Sequence, residues 1–547
     1  MITIPELMKE FERYGSLSNL RINFNKSEAM GVNVPHIAIN YLKQKFKFKW
    51  TDNALTYLGI QLAGKVEKIF ELNFPPLLQK VKILLDKWNQ GFHSWLGRCN
   101  IIRMNILPKI LYLLQTLPIH IPSKYFKQCQ RVIFKFIWAH KNPRIHRKQL
   151  MSTKQQGGLG VPDIRKYYYA THLNRLIDWN RHSDTKLWVQ IEQAQFKTPL
   201  ERAPWWFASL PKEMNKNPIV GNTVRICAAA LPMMGIEPRT SPLYPVIGNP
   251  LFPSGYEDGA FRQLRKRECI QVARYIHMGR WVTIAELMEI GNVFRLKFWN
   301  ALQIVHFLNT LPNPESFERP LMKFEKICNE QGTLLHSLSI SYELLVRSGG
   351  CPLRCVQEWE RELEKSFSSE QRQCIYRRTH ETSICVRIQE TNYKIFTRWY
   401  RTPEKLSKMF AEVSDKCWRC QRSKGTMLHI FWECPMLRSF WAEIKRALQF
   451  CSDYEIPEDP EFYLLHLNQI PEKAYREMII CHLLDAAKAC ITKRWKSPVP
   501  PTAEMWICKV REISKLEELV LTTQYKREKY LRTWTPWKSY MDHRGEG

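Results

Sequence analysis

Apolar side chains recur at helical spacing along three consecutive stretches of the first third of the chain. In the first stretch they follow an i, i+4, i+7, i+8, i+11 period: Leu77, Val81, Leu84, Leu85 and Trp88. This period places them on one face of an amphipathic helix, and the proline pair at 75–76 stands where that helix is expected to begin. The same pattern predicts helices over 98–117, interrupted at Pro108, and over 122–140.

Shorter apolar runs predict a small mixed region before these helices. We expect a helix over 6–15 and short strands around 21–24, 47–50 and 56–62. Helical patterning returns through most of 260–400 and over 481–540. The expected fold class is therefore mainly α, with one small α+β region near residue 1.

Glycine and proline mark two further places. The spacing of Gly157, Gly158 and Gly160 matches neither a dinucleotide fingerprint nor a P-loop, which favours a glycine turn over a phosphate-binding loop. Between 238 and 259, five prolines alternate with three glycines. Such a composition predicts a linker.

The distribution of charge along the chain indicates a class of function. The formal net charge is +30 at pH 7, and residues 75–150 hold fourteen lysines and arginines against one acid, Asp86. A surface that only keeps a protein in solution normally mixes both signs, so the imbalance favours contact with nucleic-acid phosphates. Seven of these cations are our candidate contacts: Arg98, Arg103, Lys109, Lys135, Arg144, Arg147 and Lys148.

The end of the chain mixes basic and aromatic residues between 525 and 537. Basic and aromatic interleaving suits single-stranded nucleic acid. A packed aromatic C-terminal helix explains the same pattern equally well, and both interpretations stay open at this point.

Cys417, Cys420, His429 and Cys434 form a C-x2-C-x8-H-x4-C motif. Three thiolates and one imidazole are the ligand set of a tetrahedral structural Zn²⁺ site, and all four lie within eighteen residues. The alternative is an ordinary packed cysteine cluster, which the compact spacing makes the weaker interpretation. Trp418 lies inside the motif, where it either stacks on a base or packs under the metal loop.

The residues around this motif carry a family resemblance. Arg398-Trp-Tyr-Arg-Thr-Pro403 precedes it, Gly425-Thr426 lies inside it, and Phe431-Trp432-Glu433-Cys434-Pro435 closes it. The segment resembles the C-terminal cysteine-rich part of LINE-type (non-LTR) retrotransposon polyproteins, the second-open-reading-frame products that carry endonuclease and reverse transcriptase. In mammalian members of that family three residues separate the first two cysteines, where this chain has two.

The resemblance extends over nearly the whole chain and implies its organisation. Tyr57-Leu58-Gly59-Ile60 resembles the primer-grip turn, and Arg98, Lys109 and Arg144 match the pattern of the thumb. The implied segments are a palm remnant over 1–72, a helical thumb over 73–175, a helical connector over 176–400, a CCHC zinc-binding segment over 401–450 and a helical tail over 451–547. The family's partners, template RNA and target-DNA primer, are the partners expected here, with no small-molecule substrate.

The polymerase chemistry of the family is not expected of this chain. A polymerase needs a carboxylate pair to hold two Mg²⁺ ions, and the sequence contains no Asp-Asp pair. We therefore expect a nucleic-acid-binding fragment without the catalytic turn or the endonuclease. Two alternatives remain: part of an active RNA-directed DNA polymerase with a truncated gene model, or a domesticated zinc-containing adaptor for protein contacts.

Cysteine usage and hydropathy bear on the compartment. The cysteine spacings suggest no disulfide framework, which together with a zinc motif indicates a reducing environment. No secretory signal is evident at the start of the chain, and no run is apolar enough to predict a transmembrane helix or a membrane partner. An intracellular protein, cytoplasmic or nuclear and not secreted, is expected.

Overall fold

The computed structural model describes most of the chain, and its contacts divide the chain into two compact units. Unit 1 comprises Met1–Trp88, Ile106–Val132 and Ile164–Ser348; unit 2 comprises Asn89–Asn105, Ile133–Asp163 and Gly349–Gly547. Both units are mainly helical, which confirms the predicted fold class. The described residues are 3–181, 185–196, 199–206, 212–254, 259–261, 264, 271–291, 297–330, 332, 334–347, 353–467 and 474–545.

The first 62 residues form the predicted small mixed region. It contains helices α1 (Thr3–Ser18) and α2 (His36–Lys45), a parallel pair of β1 (Glu28–Ala29) and β2 (Lys49–Trp50), and a hairpin of β3 (Leu55–Tyr57) and β4 (Ile60–Leu62). Positive φ angles at Leu58 (48°) and Gly59 (80°) form the hairpin turn.

The strand predicted over 21–24 is wrong. No strand forms there, and Phe24 instead opens a 3-10 turn. The side chain of Asn23 accepts the N–H of Lys26, and this local hydrogen bond diverts the backbone from a strand ladder.

The three predicted amphipathic helices are present with altered ends. They are α3 (Val66–Asn89), the pair α4 (Trp95–Ile101) and α5 (Leu107–Thr116), and α6 (Ser123–Ile137). Helix α3 begins nine residues before its prolines, because the Asn73 amide bonds to the backbone of Gln61 in β4 and holds the first turns. A π-helical turn over Ile102–Ile106 lies at the predicted interruption and ends two residues before Pro108.

The remaining helices complete the two units. They are α7 (Arg147–Met151), α8 (Ile164–Arg181), α9 (Leu187–Gln193), α10 (Lys212–Lys216), α11 (Val220–Ala230), α12 (Ile284–Gly291), α13 (Phe298–Leu308), α14 (Lys323–Asn329), α15 (Ser337–Arg347), α16 (Arg354–Leu363), α17 (Ser369–Glu381), α18 (Val386–Phe396), α19 (Pro403–Ser407), α20 (Arg438–Ser452), α21 (Pro460–Leu465), α22 (Ala474–Lys493), α23 (Ala503–Thr523) and α24 (Arg527–His543). A second hairpin joins β5 (Ile276–His277) to β6 (Arg280–Trp281).

The main core of unit 1 forms where α8 packs on α11 and α15. The proline-rich segment predicted as a linker belongs to this core over its described residues: Tyr244, Val246 and Ile247 are buried. The Asn249 amide donates to the carbonyl of Pro245, which satisfies irregular backbone inside the protein. Residues 255–258 of the predicted linker lie outside the described residues.

In unit 2, helices α20, α22, α23 and α24 pack against one another. Tyr530, Trp534 and Trp537 of α24 are buried, and the indole N–H of Trp534 donates to Glu517 at 3.1 Å. The packed-helix interpretation of the C-terminal tract therefore holds for these three rings, and Tyr525 is an exposed aromatic side chain of that tract. Within the described ranges, no helix combines the length and the apolar character that crossing a membrane requires.

Candidate metal centre

The first two cysteines of the motif lie on a tight turn in unit 2. A β-bridge joins Lys416 to Lys424, and the Cys417 N–H donates to the carbonyl of Ser423 at 2.9 Å. The chain reverses through Gln421, which has a φ of 54° and donates its N–H to the Cys417 carbonyl at 2.9 Å. This turn brings the thiols of Cys417 and Cys420 to one side, because only two residues separate them.

The other two ligands stand at the ends of one π-helical turn. This turn spans His429–Glu433, and the N–H of Cys434 donates to the carbonyl of His429 at 2.9 Å. The hydroxyl of Thr426 accepts the N–H of His429 and starts the turn. In a π-helical turn the i to i+5 hydrogen bond places side chains five residues apart, here His429 and Cys434, on the same face. Such turns are often found at functional sites.

Gly425 connects the two halves of the site. Its N–H donates to the carbonyl of Asp415 at 2.7 Å. A Cβ at this position would stand 2.5 Å from Cγ of Pro403, closer than any real contact. Glycine at 425 therefore lets the ring of Pro403 pack directly against the cysteine turn, and any side chain there would force one of them to move.

The four predicted ligand atoms lie within 4.8 Å of one another. The Sγ atoms of Cys417 and Cys434 are 3.9 Å apart, and Sγ of Cys420 is 3.4 Å from Nε2 of His429. Sulfur ligands at about 2.3 Å in a tetrahedron would be separated by about 3.8 Å. The structure thus brings together the four residues that the spacing predicted, in a cluster that could hold a metal ion.

The thiols of the cluster differ in acidity. Burial raises the pKa of Cys434 to about 11. Burial also disfavours the Cys420 thiolate, but the N–H groups of Ser423 and Arg422 and the ring of His429 outweigh it, so the pKa of Cys420 is lowered. Because metal ligation requires thiolates, binding would release protons, most of all from Cys434.

Arg419 is a buried cation beside the thiols and was not among the residues predicted from the sequence. It is 6% exposed, and its Nη1 donates to the carbonyl of Ile430 at 2.7 Å. Burial lowers the pKa of this guanidinium, whereas the three cysteines of the cluster raise it in part. Its position in the sequence, between Cys417 and Cys420, indicates that it lies near the cluster. Only its burial in the structure distinguishes it from an exposed arginine such as Arg422.

Aromatic side chains support the cysteine turn. Trp418 is half-buried and meets the ring of Trp495 edge to face, with ring centroids 5.7 Å apart. Phe431 packs on the same Trp495 at 5.5 Å. Trp418 therefore contributes to packing, and base stacking through its accessible part stays a prediction.

The predicted phosphate contacts are distributed over both units. Lys109 is exposed in unit 1. In unit 2, Lys135, Arg144, Arg147 and Lys148 are exposed, Arg103 is half-buried and bonds to Asn100, and Arg98 is buried. Arg98 donates to Asn89 and to the carbonyl of Phe136, so part of its guanidinium holds the end of α6.

A comparison of the chain with models of known protein families finds no match.

Proposed function

We propose that this chain binds nucleic acid through phosphate contacts, as the C-terminal part of a LINE-type retrotransposon reverse transcriptase polyprotein. The partners proposed are template RNA and the DNA primer. The cysteine and histidine cluster is proposed to hold one structural Zn²⁺, which keeps the segment around 401–450 folded. The proposed setting is intracellular.

The observation that carries this proposal is a long basic stretch with exposed cations. From Lys87 to Pro162 the sequence has no acidic residue. Within that stretch Lys135, Arg144, Arg147 and Lys148 present exposed side chains in unit 2. Such a one-sign surface attracts polyanions and raises their local concentration, as nucleic-acid-binding proteins require.

Zinc is proposed because of the ligand chemistry. Three sulfurs and one imidazole nitrogen are soft to borderline ligands, which favour Zn²⁺ over hard ions such as Mg²⁺ or Ca²⁺. All four positions are occupied by protein atoms, which is typical of a structural site and leaves no ligand position for water. The bound ion would therefore supply folding free energy and no hydrolytic chemistry.

Polymerase activity is not proposed for the chain by itself. Phosphoryl transfer by a polymerase relies on carboxylates that hold two metal ions, and the sequence provides no Asp-Asp pair for this purpose. Template-dependent incorporation of nucleotides by the purified chain, free of contaminating polymerases, would overturn this part of the proposal and favour the truncated-gene alternative.

Salt dependence of binding tests the nucleic-acid function. If about five phosphates are neutralised, the log–log slope of affinity against salt should be roughly −3.5 to −4.5, from about 0.7–0.9 per phosphate. Changing Lys135, Arg147 or Lys148 to alanine should weaken binding to all sequences alike and reduce the slope by about one phosphate's share. Fluorescence anisotropy with labelled RNA and DNA over a salt series measures both quantities.

Lys515→Ala is the matched control for this experiment, because it removes an exposed lysine of the same unit outside the basic stretch. It should leave affinity and slope unchanged. If the three test variants behave like Lys515→Ala, the basic stretch only keeps the protein in solution. Salt-insensitive binding of a protein partner, with no nucleic-acid binding, would favour the adaptor alternative.

A further inference from the structure

A cleft of about 700 Å³ opens in unit 2 beside the end of α6. Besides the buried Arg98, its lining includes three further cations, Lys141, Arg144 and Arg401, and three tryptophans, Trp95, Trp138 and Trp399. These residues come from two parts of the sequence, 95–144 and 399–401, about 250 residues apart. The volume lies within the roughly 300–1,000 Å³ usual for ligand pockets.

The charge of this cleft has a single sign. No acidic side chain lines it, and within the described residues no carboxylate forms an ion pair with Lys141, Arg144 or Arg401. Burial lowers the pKa of Arg144, and the neighbouring charge of Arg401 lowers it further. Like charges held together without a counterion are unfavourable, and a bound anion would remove that cost.

Residues with left-handed backbone conformations hold the lining of the cleft at two places. Ala139 and His140 have φ values of 47° and 63°, a left-handed pair that ends α6 and turns the chain towards Lys141 and Arg144. On the other side Arg398, also left-handed at 54°, is buried, pairs with Glu358 at 3.3 Å and also pairs with Glu362. Left-handed residues other than glycine carry backbone strain and cluster at functional sites.

The three tryptophans form one aromatic cluster. Trp138 and Trp399 stack with centroids 5.4 Å apart and an interplanar angle of 14°, and Trp95 lies 5.0 Å from Trp399. The guanidinium of Arg144 stands 5.1 Å over the ring of Trp399. Trp399 keeps part of its surface accessible, whereas Trp95 and Trp138 are buried.

The indole N–H groups of Trp95 and Trp138 have no hydrogen-bond partner within the described part of the chain. Both side chains line the cleft and are more than nine-tenths buried. Their nitrogen atoms have essentially no accessible surface, so these two donors stay inside the wall of the cleft and a bound ligand does not reach them.

We infer that this cleft is a nucleotide-binding site: Lys141, Arg144 and Arg401 hold a phosphate, and the base lies against the accessible part of Trp399. The inference rests on the proposed nucleic-acid function and gives it a defined location. Base stacking on aromatic rings combined with arginine contacts is the usual mode for unpaired nucleotides. The nucleotide unit belongs either to a single strand or to a free nucleotide.

Tryptophan fluorescence titrations of the full chain test this site, with oligothymidylate, thymidine triphosphate and inorganic phosphate as separate ligands. The native chain should show quenching by a thymidine ligand. Each lost arginine–phosphate contact should weaken binding by about tenfold or more, so Arg144→Ala combined with Arg401→Ala should weaken it by about 100-fold or more. Tight binding of oligothymidylate alone identifies a strand; equal binding of the triphosphate identifies a free nucleotide.

Arg438→Ala is the control, since it removes an exposed arginine of unit 2 that does not line the cleft. Circular dichroism and zinc content should match among all variants. If the native chain binds nucleic acid and the double variant binds equally well, the assignment of the cleft as the binding site is overturned, while the proposed function stands. If the native chain binds no nucleic acid at all, the proposed function fails as well. Equal affinity for an abasic oligonucleotide would overturn the base-stacking half of the inference.

Discussion

At the scale of single residues, a metal ion bound at the cysteine and histidine cluster would need charge compensation. Three thiolates and a neutral imidazole around a divalent cation would leave a net charge of −1 in a mostly buried site. Arg419 is buried beside these sulfurs, and two of its nitrogens, Nε and Nη2, lack partners within the described residues. A guanidinium in this position offsets the negative charge and would donate to the sulfurs, the role that outer-shell groups play in zinc sites.

We predict that Cys420→Ser abolishes stoichiometric zinc binding and unfolds the segment near 410–440, because structural zinc supplies roughly 10–16 kcal/mol in small modules. Arg419→Met should retain zinc but hold it about 10–100-fold less tightly, the range for lost outer-shell partners. Native mass spectrometry and competition with a chromogenic chelator measure both effects.

The control for Arg419→Met is Arg422→Met, which removes an exposed arginine two residues after Cys420. This variant should keep native zinc affinity. Native protein without zinc would reject the metal assignment, and native affinity in Arg419→Met would show that this charge does not support the cluster.

At the scale of elements, the glycine segment 157–160 is a turn whose N–H groups are used internally. Gly158 donates to the carbonyl of Thr153, and Gly160 donates to that of Ser152, both at 2.9 Å. Gly157 adopts a φ of 75° and its carbonyl accepts the hydroxyl of Tyr393. The segment therefore offers no free row of N–H groups for a phosphate, and the turn interpretation is confirmed.

Gly158→Ala should destabilise unit 2. A Cβ at this position would lie 2.0 Å from the carbonyl oxygen of Ser152, and backbone must move to relieve the overlap. Such overpacking typically costs about 1–3 kcal/mol. Pulse proteolysis in a denaturant series would measure the loss through cleavage within unit 2.

Gly64→Ala is the comparison, because a Cβ there meets only Val32 at 3.8 Å, an ordinary contact. Its effect should stay within about 0.5 kcal/mol, as for most surface changes. Equal sensitivity of the two variants would mean that the backbone around 152–158 can relax freely.

At the scale of the whole molecule, buried histidines in both units couple folding to pH. Burial lowers the pKa of His172 to about 3, and that of His380 and His466 to about 4. In an unfolded chain each would titrate near its ordinary value of about 6.5. Between these values the unfolded state binds more protons than the folded state, so stability rises with pH and falls on acidification.

We predict that each of these histidines destabilises the protein by about 2 kcal/mol at pH 5 relative to pH 7, and that the loss develops between about pH 6.5 and 4. His172→Gln should flatten this dependence for unit 1. Because acid would also release a metal ion bound at the cysteine cluster in unit 2, the measurement should be hydrogen exchange of the α8 amides in unit 1. His36→Gln, at an exposed position, should keep the native slope; an unchanged slope in His172→Gln would contradict the prediction.

Local patterns determined much of this molecule from the sequence alone. The spacing of Cys417, Cys420, His429 and Cys434 identified the four residues of the cluster, because one tight turn and one helical turn, close together in sequence, bring them into contact. The apolar period identified α3 to α6, because a helix that buries one face must repeat at about 3.6 residues. The spacing of Gly157, Gly158 and Gly160 likewise predicted a turn, because glycine readily adopts the backbone conformations that a turn needs.

Only the tertiary structure decided the features that depend on distant contacts. The bond from Asn73 to the Gln61 backbone sets the start of α3, and burial packs the segment around Tyr244 into a core where composition predicted a linker. The cleft joins Arg144 to Arg401 across an interval that no local pattern spans. Whether a side chain is buried, and which residue it contacts, depends on which surfaces meet in the folded protein. The residues next to it in the sequence do not determine this.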